Sequence, residues 1–169
     1  MNLDANDFEL FDLPQTFAQD SAGIDARRKA LLREAHPDRF IAQGAAAQRV
    51  AMQWSVRINE AYQRLRDPLR RAAYLCTLHG VSVDAETNTA MPADFLTQQM
   101  QWREALEEMS GEAAFTALRG EVDAARRRAL SALGLLIDEQ ADYAQAAAQV
   151  RALMFIERFA QNFQARINA

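Results

Sequence analysis

Cysteine is almost missing from this chain: Cys76 is the only one in 169 residues. No intramolecular disulfide can form, and a reducing compartment is the expected setting. Histidine is nearly as scarce, with only His36 and His79, far apart in sequence. Two separated histidines and one cysteine cannot supply the usual zinc ligand set, so no metal or other cofactor is expected. No glycine-framed serine or activated cysteine accompanies His36 and Asp38, so a nucleophile, base and orienting acid are not all present. The chain reads as a non-enzyme. No apolar run is long enough to span a bilayer. The N-terminal "MNLDANDFELF" lacks a basic segment leading into an apolar one, so no secretory signal is expected. The cytoplasm is the expected location, without a membrane partner.

Glycine and proline are also sparse, six and four respectively. With abundant alanine and few β-branched residues, that composition favours helix nearly throughout and predicts an all-α fold. Basic charge is in short supply in the back half. Residues 1–75 hold 11 basic and 10 acidic side chains, residues 76–169 hold 8 and 13, and the net charge is −4. Phosphate binding needs a basic surface, which argues against nucleic acid as a partner. The asymmetry suggests two modules with different partners.

What is present is helical periodicity divided by proline. Pro14, Pro37, Pro68 and Pro92 start or end helical blocks, because proline lacks an amide donor and clashes with the preceding turn. "NDFELFDLP" predicts a short helix capped by Asn6 or Asp7. Ser21 to Ala35 predicts a second, with Ile24, Leu31 and Ala35 on one face. Lys29 and Arg33 lie on the opposite face, with Arg27 on the flank. Ala45 to Leu65 predicts a third, with Ala47, Val50, Trp54, Ile58, Ala61 and Leu65 facing a core. Asp67 and Pro68 open a fourth, as an N-cap and an N1 proline, and it stops at Gly80. The polar stretch 79–91 reads as a linker. Beyond it, three helices over about 93–110, 112–137 and 141–167 predict a three-helix bundle spanning 92–169.

Between the second and third helices stands "HPDRF", with His36, Pro37 and Asp38 in succession. By itself it could be only a helix-stopping turn. Its surroundings make it more specific. An aromatic helix "DFELFDLP", a basic helix, the HPD turn and a long helix ending "INEAYQRLRDPLRRAAY" follow one another, and that order resembles the J-domain co-chaperones. The resemblance places a J-domain at 1–78. No Gly/Phe-rich segment or CxxC zinc module follows. Instead "DPLRRAAYLCTLHG" and "FLTQQMQWREALEEM", leading into a helical bundle, resemble the HscB-type co-chaperones of iron–sulfur cluster assembly. The N-terminal cysteine module usual in the eukaryotic relatives is missing, as in bacterial versions.

That resemblance implies that His36, Pro37 and Asp38 contact an HscA-type (DnaK-type) ATPase chaperone and trigger its ATP hydrolysis. The chemistry is coherent. Pro37 stiffens the turn, while His36 and Asp38 present a donor and a charged acceptor. Lys29, Arg33 and Arg27 would add a positive face for an acidic partner surface.

A second surface is suggested by the helix at 93–110. Phe95, Trp102, Leu106 and Met109 share a narrow arc and should face the bundle. Leu96 and Met100 lie off that arc, and Glu104 and Glu108 continue their row. From the residues alone, this row could widen the core or form a docking strip. The resemblance implies the strip: Leu96, Met100, Glu104 and Glu108, with Phe155 of the last helix, would bind an IscU-type scaffold protein. Thr97 and Gln101 depart from a larger apolar residue and an acid common in relatives. The expected function is a co-chaperone that delivers the scaffold to its ATPase. The alternative is a J-domain protein with a different client, its bundle a general substrate or dimerisation module.

Overall fold

In the computed structural model, residues 4–84 and 87–167 are described; positions 85 and 86 of the expected linker lie outside them. Seven α-helices follow in order: α1 (Asp7–Phe11), α2 (Ser21–Glu34), α3 (Ala45–Arg66), α4 (Pro68–Leu78), α5 (Ala93–Glu108), α6 (Glu112–Gly134) and α7 (Tyr143–Ile167). A 3-10 helix, Pro37–Gln43, joins α2 to α3, and a π-helical turn, Leu135–Glu139, ends α6. No strand occurs among the described residues, so the fold is all-α.

Local chemistry explains most boundaries. Asn6 and Glu9 form a reciprocal capping box at the start of α1, with bonds of 3.0 and 2.9 Å. Asp20 accepts from the amides of Ala22 and Gly23 at 3.1 and 3.0 Å and starts α2. Asp67 accepts from the Arg70 amide at 3.0 Å ahead of Pro68, which needs no amide partner at this position. Past the end of α4, Gly80 adopts φ 77°, and the amides of Val81 and Gly80 donate back to Cys76 and Thr77 at 2.9 and 3.0 Å. That paired closure uses the left-handed conformation that glycine adopts without a Cβ penalty.

The chain divides into two compact units, Met1–Tyr74 and Leu75–Ala169. The division falls inside α4, whereas the sequence pattern suggested a break after it. In the first unit, α2 and α3 form a hairpin crossed by α1. Phe8, Phe11, Ile24, Leu31, Ile58 and Leu65 fill its core. The hairpin is laced at its edge. Arg28 donates to Asn59 at 3.0 and 2.9 Å and lies over the Tyr62 ring at 4.5 Å. Asp25 accepts from Tyr62 at 2.9 Å and from Arg66 at 3.1 Å.

Asp7, the first residue of α1, is completely buried, yet it is a carboxylate. It survives burial because α3 brings two guanidinium groups to it: Arg57 Nη1 at 2.5 Å and Arg64 Nε at 2.5 Å. Its backbone amide donates to the Tyr74 hydroxyl at 3.0 Å. The carboxylate in turn raises the Arg64 pKa through their hydrogen bond. Buried Arg71 closes the other side, donating to the Phe17 carbonyl at 2.8 Å and the Leu65 carbonyl at 2.5 Å.

In the second unit, α5, α6 and α7 form the bundle. The α6 stripe Leu118, Val122, Ala125, Ala129 and Leu133 meets the α7 stripe Val150, Leu153, Ile156, Phe159 and Phe163. Contacts Phe115–Phe163 and Arg126–Glu157 fix the two helices as antiparallel. Aromatic rings run through the core: Phe95 meets Trp102 edge-on, Trp102 tilts on Phe159, and Phe159 stacks on Phe163. Cys76 is buried with its sulfur 3.8 Å from the Tyr143 carbonyl, and His79 stacks on the Tyr143 ring at 3.8 Å.

Several expected core positions are corrected. Val50 is 52% exposed, and Ala51 is buried in its place. The buried row of α3 runs through Ala51, Ile58 and Leu65, and Val50 lies about 80° round the helix from Ile58. Ala47 and Trp54 are only half-buried, as are Leu106 and Met109 near the end of α5. The third bundle helix starts at Tyr143 and not at Ala141, because Ala141 has φ 51° and Asp142 caps the helix through the Gln145 amide at 3.0 Å.

Two predictions follow from this packing. Asp7→Ala strands two arginines against the core and should cost about 3 kcal/mol of stability in urea unfolding; an unchanged midpoint would show that the triad holds nothing. Burial pushes the Cys76 thiol up from 9.0 to about 11. Between those values the unfolded chain ionises while the folded one stays neutral, so stability should fall as pH rises through that window, by on the order of 1–2 kcal/mol. Cys76→Ala should flatten that part of the pH profile, and native Cys76 should resist thiol reagents near neutral pH.

Candidate functional site

The first unit presents the HPD turn. α2 ends at Glu34, Ala35 is buried, and the chain leaves the core at His36. His36 caps the 3-10 helix: its Nδ1 accepts from the Asp38 amide at 3.3 Å. An accepting Nδ1 puts the proton of the neutral ring on Nε2, which remains as a donor. Asp38 Oδ2 lies 3.7 Å from the same Nδ1, and the two side chains are 59% and 78% exposed. Pro37 is half-buried and sets the backbone between them. The turn therefore offers a donor and a carboxylate from a stiff backbone, with no nucleophile beside them.

Lys29 and Arg33 are exposed on one face of α2, ahead of this turn. Arg27 differs. It is half-buried and its Nε donates to the Phe11 carbonyl at 3.0 Å, so it also holds α1 to α2. Arg39 is a cation that sequence reasoning passed over; its Nη1 donates to the Arg33 carbonyl at 3.3 Å and ties the turn to the end of α2. The signal was available, since Arg39 directly follows the HPD tripeptide.

In the second unit, Leu96 is 45% and Met100 66% exposed, whereas Phe95 and Trp102 on the same helix are buried. Glu104 and Glu108 are exposed and continue that outer row round α5. Phe155 is only half-buried, and its ring contacts Phe95 at 5.8 Å and Phe159 at 6.2 Å. It thus belongs partly to the core. The α5 residues Gln99 and Arg103, missed in the sequence, flank it: Arg103 lies over the Phe155 ring at 5.6 Å. Helical spacing alone puts Arg103 beside Met100 and Leu96, but only the contact with α7 shows what it covers.

A cleft of about 780 Å³ opens between residues 87–91, α5 and α7, with Leu96 and Phe155 both in its wall. Arg151, buried at its base, donates to the Ala90 carbonyl at 2.6 Å and the Val83 carbonyl at 2.9 Å. These two bonds pin both ends of the stretch leading into α5 and so set where Leu96 stands. No cluster of His, Cys, Asp and Glu fit to hold a metal ion occurs among the described residues. No described helix is long and apolar enough to cross a membrane.

An HPD turn on a helical hairpin, followed by a three-helix bundle with an exposed apolar strip, is the arrangement of a co-chaperone class. The comparisons narrow the class. Residues 91–164 match the family described as the HSCB C-terminal oligomerisation domain. The chain is 49% identical over 170 residues to the co-chaperone protein HscB homolog of Burkholderia multivorans, covering 99% of this chain and 97% of that one. It is also 49% identical over 159 residues to the Bordetella pertussis homolog, with 94% of each covered. Among solved structures, chaperone HscB from Vibrio cholerae superposes with a TM-score of 0.82 at 35% identity, covering 97% and 98% of the two chains. The human co-chaperone HscB superposes with a TM-score of 0.89 at 26% identity, covering 98% of this chain and 84% of that one. The chain belongs to the HscB co-chaperone family.

The two apolar positions of the strip should separate on mutation. Leu96→Ala should change thermal stability little, within about 0.5 kcal/mol, because the side chain is largely solvated. Phe155→Ala removes ring contacts with Phe95 and Phe159 and should cost about 2 kcal/mol. Equal losses from both would mean that Leu96 is packed as deeply as Phe155.

Proposed function

We propose that this protein stimulates the ATPase of an HscA-type (DnaK-type) chaperone and delivers an IscU-type iron–sulfur scaffold protein to it, acting in the cytoplasm without catalysing a reaction itself. The observation that carries this reading is the exposed HPD turn at the end of a basic helix, in a chain of the HscB family. His36, Pro37 and Asp38 engage the chaperone, and Lys29 and Arg33, with Arg27 on the flank, steer an acidic surface toward them. The segment 1–78 is the chaperone-binding module and 92–169 the scaffold-binding one, joined through 79–91. Leu96, Met100, Glu104, Glu108 and Phe155 bind the scaffold, with the apolar side chains as anchors and the carboxylates setting register. Tethering the two modules raises the effective concentration of scaffold at the chaperone, so delivery needs no new chemistry.

Steady-state ATP hydrolysis by the chaperone, with and without this protein and scaffold, tests the reading. Wild type should accelerate turnover, and scaffold should accelerate it further. His36→Gln should abolish stimulation while scaffold affinity and helicity persist, since the ring is exposed and carries no core contact. Full stimulation by that variant would overturn the assignment.

A second reading has one observation in its favour: the matched family describes its C-terminal domain as an oligomerisation domain. The bundle would then pair with a second copy through Leu96 and Met100. Sedimentation over a range of concentrations separates the two, because only self-pairing makes the mass rise with concentration and fall back in Leu96→Ala.

A further inference from the structure

The apolar row on α5 does not sit in a neutral surround. Taking about 100° per residue round the helix, Gln99 and Arg103 lie on the side toward Phe155, Leu96 and Met100 come next, and Glu104 and Glu108 lie beyond. Over the length from Leu96 to Glu104 the order round α5 is therefore basic, apolar, acidic, and exposed Glu107 ends the apolar row beyond Met100. On the basic side the surface drops into the cleft between residues 87–91 and α7. Among the described residues, the only charged ones in its wall are Arg151 and Arg158, although the unit that contains it, 75–169, carries thirteen acidic and eight basic residues. Arg151 is committed to two backbone carbonyls. Arg158 is exposed and has no ion pair among the described residues, whereas its neighbour Glu157 pairs with Arg126 at 3.4 Å. The rest of the wall combines apolar Met91, Leu96 and Met154 with polar side chains of residues 87–89.

We propose that this cleft is a second subsite of the docking strip, taking an extended acidic segment of the bound scaffold, with Arg158 as its ion-pairing and specificity-determining residue. The inference rests on the scaffold-binding reading of Leu96 and Met100 and extends it. Three observations select this occupant. The cleft is continuous with the strip, since Leu96 and Phe155 belong to both. Its unpaired charge is positive, so a carboxylate is the complementary group. The polar groups at residues 87–89 in its wall suit an extended backbone, which presents both donors and acceptors, better than a helix with its backbone already paired. The consequence is directional. A partner whose apolar patch has acid on one side and base on the other docks in a single orientation, and the reversed orientation sets Arg158 against base and Glu104 against acid.

The test is calorimetric titration of the intact protein with the IscU-type scaffold at low and high salt. Arg158→Glu should weaken binding about 10-fold or more at low salt and reduce its salt dependence, while Arg158→Lys stays within about threefold of wild type. Leu96→Ala should weaken binding to a similar degree at both salt concentrations. The chaperone's ATPase, stimulated without scaffold, should be the same for all variants. If Arg158→Glu binds like wild type while Leu96→Ala is weakened, the cleft is not used and the strip alone binds. If wild type does not bind the scaffold, the scaffold reading falls and takes the cleft with it. If Arg158→Glu instead abolishes self-association of the chain, the occupant is a second copy and the proposal is overturned.

Discussion

One carboxylate without access to water organises the first unit. Asp7 is fully buried, and a lone buried charge there would be untenable. It is held because Arg57 and Arg64, spaced two turns apart on α3, close on it together. That requirement fixes α1, a helix of five residues too short to be stable by itself. With α1 fixed, Phe8 and Phe11 enter the core, and the Phe11 carbonyl becomes the acceptor for Arg27 of α2. The orientation of α2 decides where the HPD turn leaves the core. A buried ion pair on α1 and α3 thus underlies the placement of the exposed HPD turn.

The second unit solves an analogous problem with the opposite charge. Arg151 is buried with no carboxylate paired to it among the described residues; two backbone carbonyls accept from its guanidinium instead. Carbonyls are neutral, so the arrangement neutralises nothing, but its geometry is useful. One side chain on α7 holds both ends of the stretch that enters α5, and α5 carries Leu96 and Met100. The aromatic column through Phe95, Trp102 and Phe159 then sets the rotation of α5. Burying Phe95 and Trp102 leaves Leu96 and Met100 in solvent, since both sets cannot face inward on one helix.

Exposed apolar side chains lower solubility and add nothing to folding, so their retention at a strip bordered by opposite charges favours recognition as their purpose. The same economy appears in the first unit, where His36 and Asp38 are solvated and Lys29 and Arg33 are exposed, while Arg27 and Arg39 are engaged in structure. On the proposed reading, both surfaces act by presenting groups in fixed places to other proteins. Such a role requires stiff backbones and unpaired side chains, and it leaves no need for a nucleophile or a metal ligand set.

Much of this was legible in the sequence because it is local. The Asn6 cap, the Asp67 cap with N1 Pro68 and the Gly80 stop depend on a few neighbouring residues, and each marks its helix boundary within the stretch that contains it. The HPD tripeptide, following a basic face, was legible for the same reason. The core assignment of Val50, the helix start at Ala141 and the partial burial of Phe155 were not, because each depends on what a second helix does at that point. Periodicity gives the width of an apolar face but not its centre, so it could not choose between Val50 and Ala51. Nor could it show that Phe155 is shared between core and surface, or that Arg103 covers its ring. The cleft beside Leu96 was invisible for a stronger reason. Its wall is assembled from residues 87–91, α5 and α7, and only the packing of α5 on α7, held by Arg151, brings Arg158 to the same opening as Leu96. Sequence alone determined most of the helices, several of their caps and the HPD motif, through short-range hydrogen bonding and backbone restriction. Tertiary structure alone decided which side chains were left over for a partner, because exposure is what remains after the helices have packed.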